Sequence, residues 1–186
     1  MRSYIGEYTS GMLSTLSITM IPLIYQEYTH RREEELKVTG YLKAIYTELR
    51  EAKFFLKDFS FDPNVITRIP ILPTASWEAA KFAGIIDPKD PLYIKLRDVY
   101  RGFQLINENV QVATLTATLS VRSDWKEIAS GMMELVERIN SWLFPMLVEA
   151  IDDLERKIRL PPGEVTEIEE ELRKRKIEYI KNKIKL

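Results

Sequence analysis

From Val38 to Phe59 the apolar residues Val38, Leu42, Ile45, Leu49, Ala52, Leu56 and Phe59 fall at steps of four, three, four, three, four and three. That rhythm keeps a narrow stripe on one side of an α-helix and commits the helix to packing along its length. A second seam, Leu92, Leu96, Val99, Phe103, Ile106, Val110, Ala113 and Ala117, repeats it. A third runs Trp125, Ile128, Met132, Leu135, Ile139, then Leu143, Leu147, Ile151, Leu154 and Ile158. Its steps change to fours around Pro145, as expected of a stripe that rotates where a helix kinks. Three such seams predict an all-α fold, an antiparallel four-helix-type bundle with long kinked helices over 31–59, 91–119 and 124–160. The fourth place falls to residues 3–29 or to 164–184.

The connection between the first two seams is expected to hold a Pro-rich loop and a short helix. Pro63, Pro70 and Pro73 forbid continuous helix there. Thr74 or Ser76 can cap a helix through Trp77 to Ala83, with Gly84 as the residue past its end. Asp87-Pro88 and Asp90-Pro91 each read as a cap followed by a first helical residue. One stretch is ambiguous. Val112, Thr114, Thr116 and Thr118 alternate as a strand would. Only Ile69 to Leu72 could pair with such a strand, and Pro70 cannot donate to a ladder, so the helical period is favoured over 110–121. Ser123 is the expected cap of the next helix, and Pro161-Pro162-Gly163 its end. The last helix, from Glu164, carries glutamates first and then Arg173-Lys174-Arg175-Lys176, in the order the helix dipole favours. At 186 residues the chain reads as one helical domain: an apolar arm over 1–30, a bundle core over 31–160 and a charged helix over 161–186.

The arm holds the functional question. Glu7 and Glu27 bound nineteen uncharged residues, Tyr8 to Gln26. The length just reaches the ~20 residues that span a bilayer, but Ser, Thr, Gly11 and Pro22 interrupt it. Gly6, Ser10 and Ser14 stand four apart, as do Gly11, Thr15 and Thr19, which permits close helix–helix approach. The preceding residues make a poor secretory signal, with one basic residue and no small-x-small site. The expectation is a cytoplasmic protein, with membrane association through 8–26 as the alternative. Residues 3–59 are expected as one long helix, or as two broken near Thr29.

Few chemistries fit the remaining residues. With no cysteine, disulfides and thiolate chemistry are excluded. A net charge of −1 gives no overall attraction to nucleic acid. Glu27-Tyr28-Thr29-His30 spells Glu-x-x-His, half of a di-iron ligand set, but His30 is the sole histidine. A triad would need the same histidine, and phosphate-cradling glycine motifs are missing. Asp152-Asp153 point different ways on a helix, and Asp87 and Asp90 are accounted for by capping. No catalytic, cofactor or metal residue is therefore assigned. Phe54, Phe55, Phe59, Phe61, Trp77, Trp125 and Trp142 read as packing anchors on or beside the seams.

The composition, rich in Glu, Lys, Arg, Ile and Tyr, resembles that of hyperthermophile proteins. An uncharged helix running into a charged one, then Leu72-Pro73-Thr74-Ala75-Ser76-Trp77-Glu78, then long helices, resembles helical proteins of archaea and bacteria over the first 120 residues. Some of those proteins look membrane-anchored, and the resemblance implies no catalytic residues. The expected function is a non-catalytic scaffold or interaction protein, self-associating or binding a protein partner through Met12, Leu16, Ile18, Met20 and Leu23. A membrane-tethered domain and an enzyme with a site inside the bundle are the alternatives.

Overall fold

A computed structural model describes residues 3–57, 71–119, 124–161, 163 and 165–174, with backbone alone for 3–19, 21, 117 and 119. Among these residues all regular structure is helical, without a strand. α1 spans Ser3–Lys57, α2 Ala75–Phe82, α3 Pro91–Leu119 and α4 Trp125–Ile158. Residues 165–174 are also helical and are called α5. Two compact units divide the chain, Met1–Gly40 and Tyr41–Leu186.

α1 is one helix through Thr29, not two. The Thr29 hydroxyl donates to the carbonyls of Tyr25 (3.0 Å) and Gln26 (2.9 Å). It therefore bonds back into the turn that precedes it and does not cap a new one. The strand-like stretch is helical as far as Leu119. Val110 and Ala113 are buried while Val112 and Leu115 are exposed, a period of three to four rather than two. The Thr118 hydroxyl is satisfied by the Thr114 carbonyl at 2.8 Å.

In the second unit the first two seams are buried as spaced. Leu42, Ile45, Leu49, Ala52 and Leu56 of α1 and Leu92, Leu96, Val99, Phe103, Ile106, Val110 and Ala113 of α3 form the core. Val38, in the first unit, is half-buried; Phe59, Phe61 and the side chain of Ala117 lie outside the described residues.

The α4 seam differs from the expected one in its first half. Ala129, Met133 and Val136 are buried, whereas Leu135 is 43 % and Trp142 45 % exposed. Counting back from Leu147 in steps of four and three gives Leu143, Asn140, Val136, Met133 and Ala129. The true stripe is regular and passes through a polar residue. Reading apolar residues alone skips Asn140 and lands on Ile139, which is itself buried as expected; it then places Leu135, Met132 and Ile128 one position off the buried Val136, Met133 and Ala129. The Asn140 side-chain N–H donates to the Leu56 carbonyl at 3.0 Å. Trp142 is accordingly no anchor for the core.

The helix ends follow local chemistry. Asp90 precedes Pro91 and its carboxylate accepts the Leu92 N–H at 2.9 Å. Asp87 accepts the Lys89 N–H at 2.8 Å and closes a turn, so only the second Asp-Pro pair starts a helix. Past α2, Gly84 has φ +63°. Its N–H reaches the Lys81 carbonyl and that of Ile85 reaches Ala80, the bonding pattern of a Schellman end. α4 ends at Arg159, left-handed at φ 52°, before Pro161. Residue 124, not Ser123, occupies the α4 cap position; Ser123 lies outside the described residues.

Inter-helix contacts run in a consistent order. Along α3, Asp90 meets Lys157, Lys95 meets Asp153, and Gly102 lies against Leu143. Along α1, Tyr46 meets Glu155 and Leu56 meets Asn140. Both series step forward on α1 or α3 as they step back on α4.

Candidate functional site

Three places collect polar or unpartnered groups. The first is the surface of α1 in the first unit. Met20, Leu23, Ile24, Tyr25, Tyr28 and Leu36 are exposed there. Met20, Leu23, Ile24 and Tyr28 fall at i, i+3, i+4 and i+8, one side of a helix. Of the expected interaction residues, Met20 and Leu23 are thus on the surface. The side chains of Met12, Leu16 and Ile18 lie outside the described residues. His30 is exposed and pairs with Glu34 at 3.3 Å, while Glu27 is taken by Arg31 at 2.7 Å. The two ends of the Glu-x-x-His string thus face other partners. Among the described residues no group of three possible metal ligands is found, and no helix is long and apolar enough to cross a membrane.

The second place is a buried polar centre in the second unit. Glu48 of α1 is buried. One of its oxygens accepts the Ser76 N–H at 2.7 Å and the other accepts the Tyr100 hydroxyl at 2.8 Å. Thr74 occupies the cap position of α2 but makes no side-chain cap bond. The carboxylate of Glu48 does that work from another helix, and the positive end of α2 favours the negative charge. Trp77 stacks on Tyr100 with ring centroids 5.2 Å apart and planes 6° from parallel. Next to it, the Asn107 amide makes two bonds to the Leu72 backbone, accepting its N–H at 2.7 Å and donating to its carbonyl at 2.9 Å. The Leu72-to-Trp77 segment is thereby tied down by α1 and α3 together. Burial, and the Glu48 charge after it, push the Tyr100 hydroxyl far above its ordinary pKa. Tyr100 stays a hydrogen-bond donor to Glu48 across the whole physiological range.

The third place is a groove of 350 Å³ between the end of α1 and α5. Arg50, Lys53, Phe54 and Lys57 form one wall, at i, i+3, i+4 and i+7 of α1; Glu169, Leu172 and Arg173 form the other. Arg50 is committed within it. It bonds Glu169 and lies 3.7 Å from Glu155, and its guanidinium is 5.9 Å from the Tyr46 ring centroid. Glu155 also accepts the Tyr46 hydroxyl at 2.7 Å. Burial, followed by that bond, raises the Tyr46 pKa strongly. Among the described residues, Lys53, Lys57 and Arg173 have no carboxylate partner.

Neither Glu48 nor the groove was named by motif reasoning. Position 48 stands three after Ile45 and four before Ala52, which puts it on the seam face. That spacing was the available signal. The second groove wall comes from more than 100 residues downstream of the first, which no local pattern reports. No family model, curated protein or solved structure matches the chain.

Proposed function

We propose that this chain is a non-catalytic helical interaction protein that self-associates through the first unit of α1. One observation carries the reading. Six large apolar or aromatic side chains between Met20 and Leu36 are exposed on a helix that carries few charges before Glu27. A second copy offers the same uncharged, small-residue-rich surface, and isologous pairing would bury both at once. Met12 and Leu16 continue the stripe in sequence, eight and four before Met20, and together with Ile18, which falls off that stripe, they are included in the proposed interface.

For the second unit we propose a four-helix arrangement in which α1 and α3 run the same way, α4 runs against both, and α5 takes the fourth place. This replaces strict up-and-down alternation. Its supports are the order of the contacts along α4 and the Arg50–Glu169 pair. The long connection between α1 and α3 is then the return that a same-direction pair requires.

The test is sedimentation velocity or light scattering of the full chain, without and with detergent. A discrete dimer is expected in both, shifted to monomer by Leu16→Asp with Leu23→Asp. A dimer that survives both substitutions removes this surface from the assembly. Protein that is dispersed only in detergent points to a bilayer as the partner instead.

A further inference from the structure

We infer that the groove between α1 and α5 is a binding site for a phosphate-headed amphiphile. Lys53, Lys57 and Arg173 hold the phosphate, and Phe54 and Leu172 receive the apolar body. The argument begins with charge. Lys53 and Lys57 stand four apart on one helix, where like charges oppose helix formation. Arg173 adds a third cation to the same opening. Arg50, a further cation on the same wall, has its own charge met by Glu169 and Glu155. Glu169 on the opposite wall cannot relieve the excess, since it is spent on Arg50. The negative end of α1 offsets roughly half a charge, against three cations that have no carboxylate partner among the described residues. A phosphate monoester, carrying about −1.5 to −2 at neutral pH with three acceptor oxygens, matches that excess better than a single carboxylate does.

The second observation is the apolar lining. Leu172 is buried and Phe54 half-buried in the same groove, so it is not a purely ionic surface. At 350 Å³ it lies within the range of small-ligand sites, which begins at about 300 Å³. A ligand with one or two rings, or a short acyl segment, suits that size. The Tyr46–Glu155–Arg50–Glu169 chain fixes both walls before any ligand arrives, so little ordering is spent on binding.

The test is calorimetric titration of the full chain with 1-naphthyl phosphate at low salt. Saturable one-site binding is expected. Inorganic phosphate and 1-naphthol, each offering one half of the ligand, should bind at least about tenfold more weakly, since each cation–phosphate bond and the ring burial separately contribute on that order. Lys53→Gln combined with Arg173→Gln should weaken binding about tenfold or more, while Lys126→Gln on α4 leaves it unchanged. Circular dichroism establishes that the variants remain folded. Absence of saturable binding overturns the inference. So does equal binding by the double variant, and so does equal loss in Lys126→Gln, which would mean diffuse charge attraction. Co-sedimentation with phosphatidylcholine vesicles, with and without phosphatidic acid, separates the two sources of the headgroup. Selective capture by phosphatidic acid, abolished in the double variant, identifies a lipid. Titration without capture identifies a free ligand.

Discussion

Leu23 and Leu49 lie on the same helix, yet the first is 60 % exposed and the second fully buried. From Met20 to Leu36 the described large apolar side chains of α1 are exposed; from Leu42 to Leu56 it buries them at every seam position. Periodicity in a sequence reports that a face is destined for burial. It does not report what will cover it. In the second unit the cover is supplied by the chain's own later helices; in the first, the described apolar side chains from Met20 to Leu36 stay exposed.

This contrast can be broken by substitution. Leu49→Ala should cost about 2–5 kcal/mol, the usual cost of emptying a packed leucine site. Leu23→Ala should change the stability of the monomer by no more than about 0.5 kcal/mol. Urea unfolding of both variants at a dilution where light scattering shows monomer reads the difference, and equal losses would remove the distinction between the two halves. Glycines give a smaller version of the same test. A Cβ on Gly102 would lie 2.6 Å from Leu143, itself fully buried, so Gly102→Ala should cost about 1–3 kcal/mol through overpacking. Around Gly40 nothing lies within 4 Å, so Gly40→Ala should gain up to about 1 kcal/mol of helix propensity. Thermal melts that rank the two the other way would show that Leu143 has room to move. Next, Tyr100→Phe removes one of the two donors to buried Glu48 and should cost about 1–3 kcal/mol. Trp77 fluorescence should report the disturbed stack.

The smallest effect concerns pH. The bond from Lys157, with the Leu92 N–H contributing, holds the Asp90 carboxyl below its usual range. A depressed pKa means the folded state favours the charged form. Its stabilisation is complete above the unfolded value of about 3.9 and is lost as pH falls through the lower folded value. Lys157→Gln should therefore be the less stable protein at pH 7, by at most about 1 kcal/mol for a pair this exposed. The gap to wild type should close as Asp90 protonates. A gap that stays constant down to pH 2 would assign the loss to packing of the lysine stem.

How much could be read beforehand follows from which interactions are local. The two regular seams, the Gly84 helix end and the Asp90 cap depend on neighbours within one turn, and their spacing shows them directly. The direction of α1 relative to α3 depends on a connection whose path no short pattern encodes. Glu48 looked like one more glutamate in a helix full of charge, because composition hides a buried carboxylate among solvated ones. Thr29 carried a capping residue's chemistry into a helix interior, where its hydroxyl found the preceding carbonyls first. The groove is visible as two separate faces, and only folding sets them opposite each other.

Asn140 has a consequence beyond its single bond to Leu56. Its other polar atom, Oδ1, is buried without a hydrogen-bond partner among the described residues, a standing cost for the folded chain. α4 carries two adjacent stripes, the buried one through Val136 and Leu143 and the half-covered one through Leu135 and Trp142. On apolar content alone they compete, and a turn of the helix by one position would exchange them. The amide works as an index mark: its bond to Leu56 exists in one rotational setting only. Substituting leucine there would remove the unsatisfied oxygen while freeing the helix to roll, trading a uniquely set rotor for one with two rest positions.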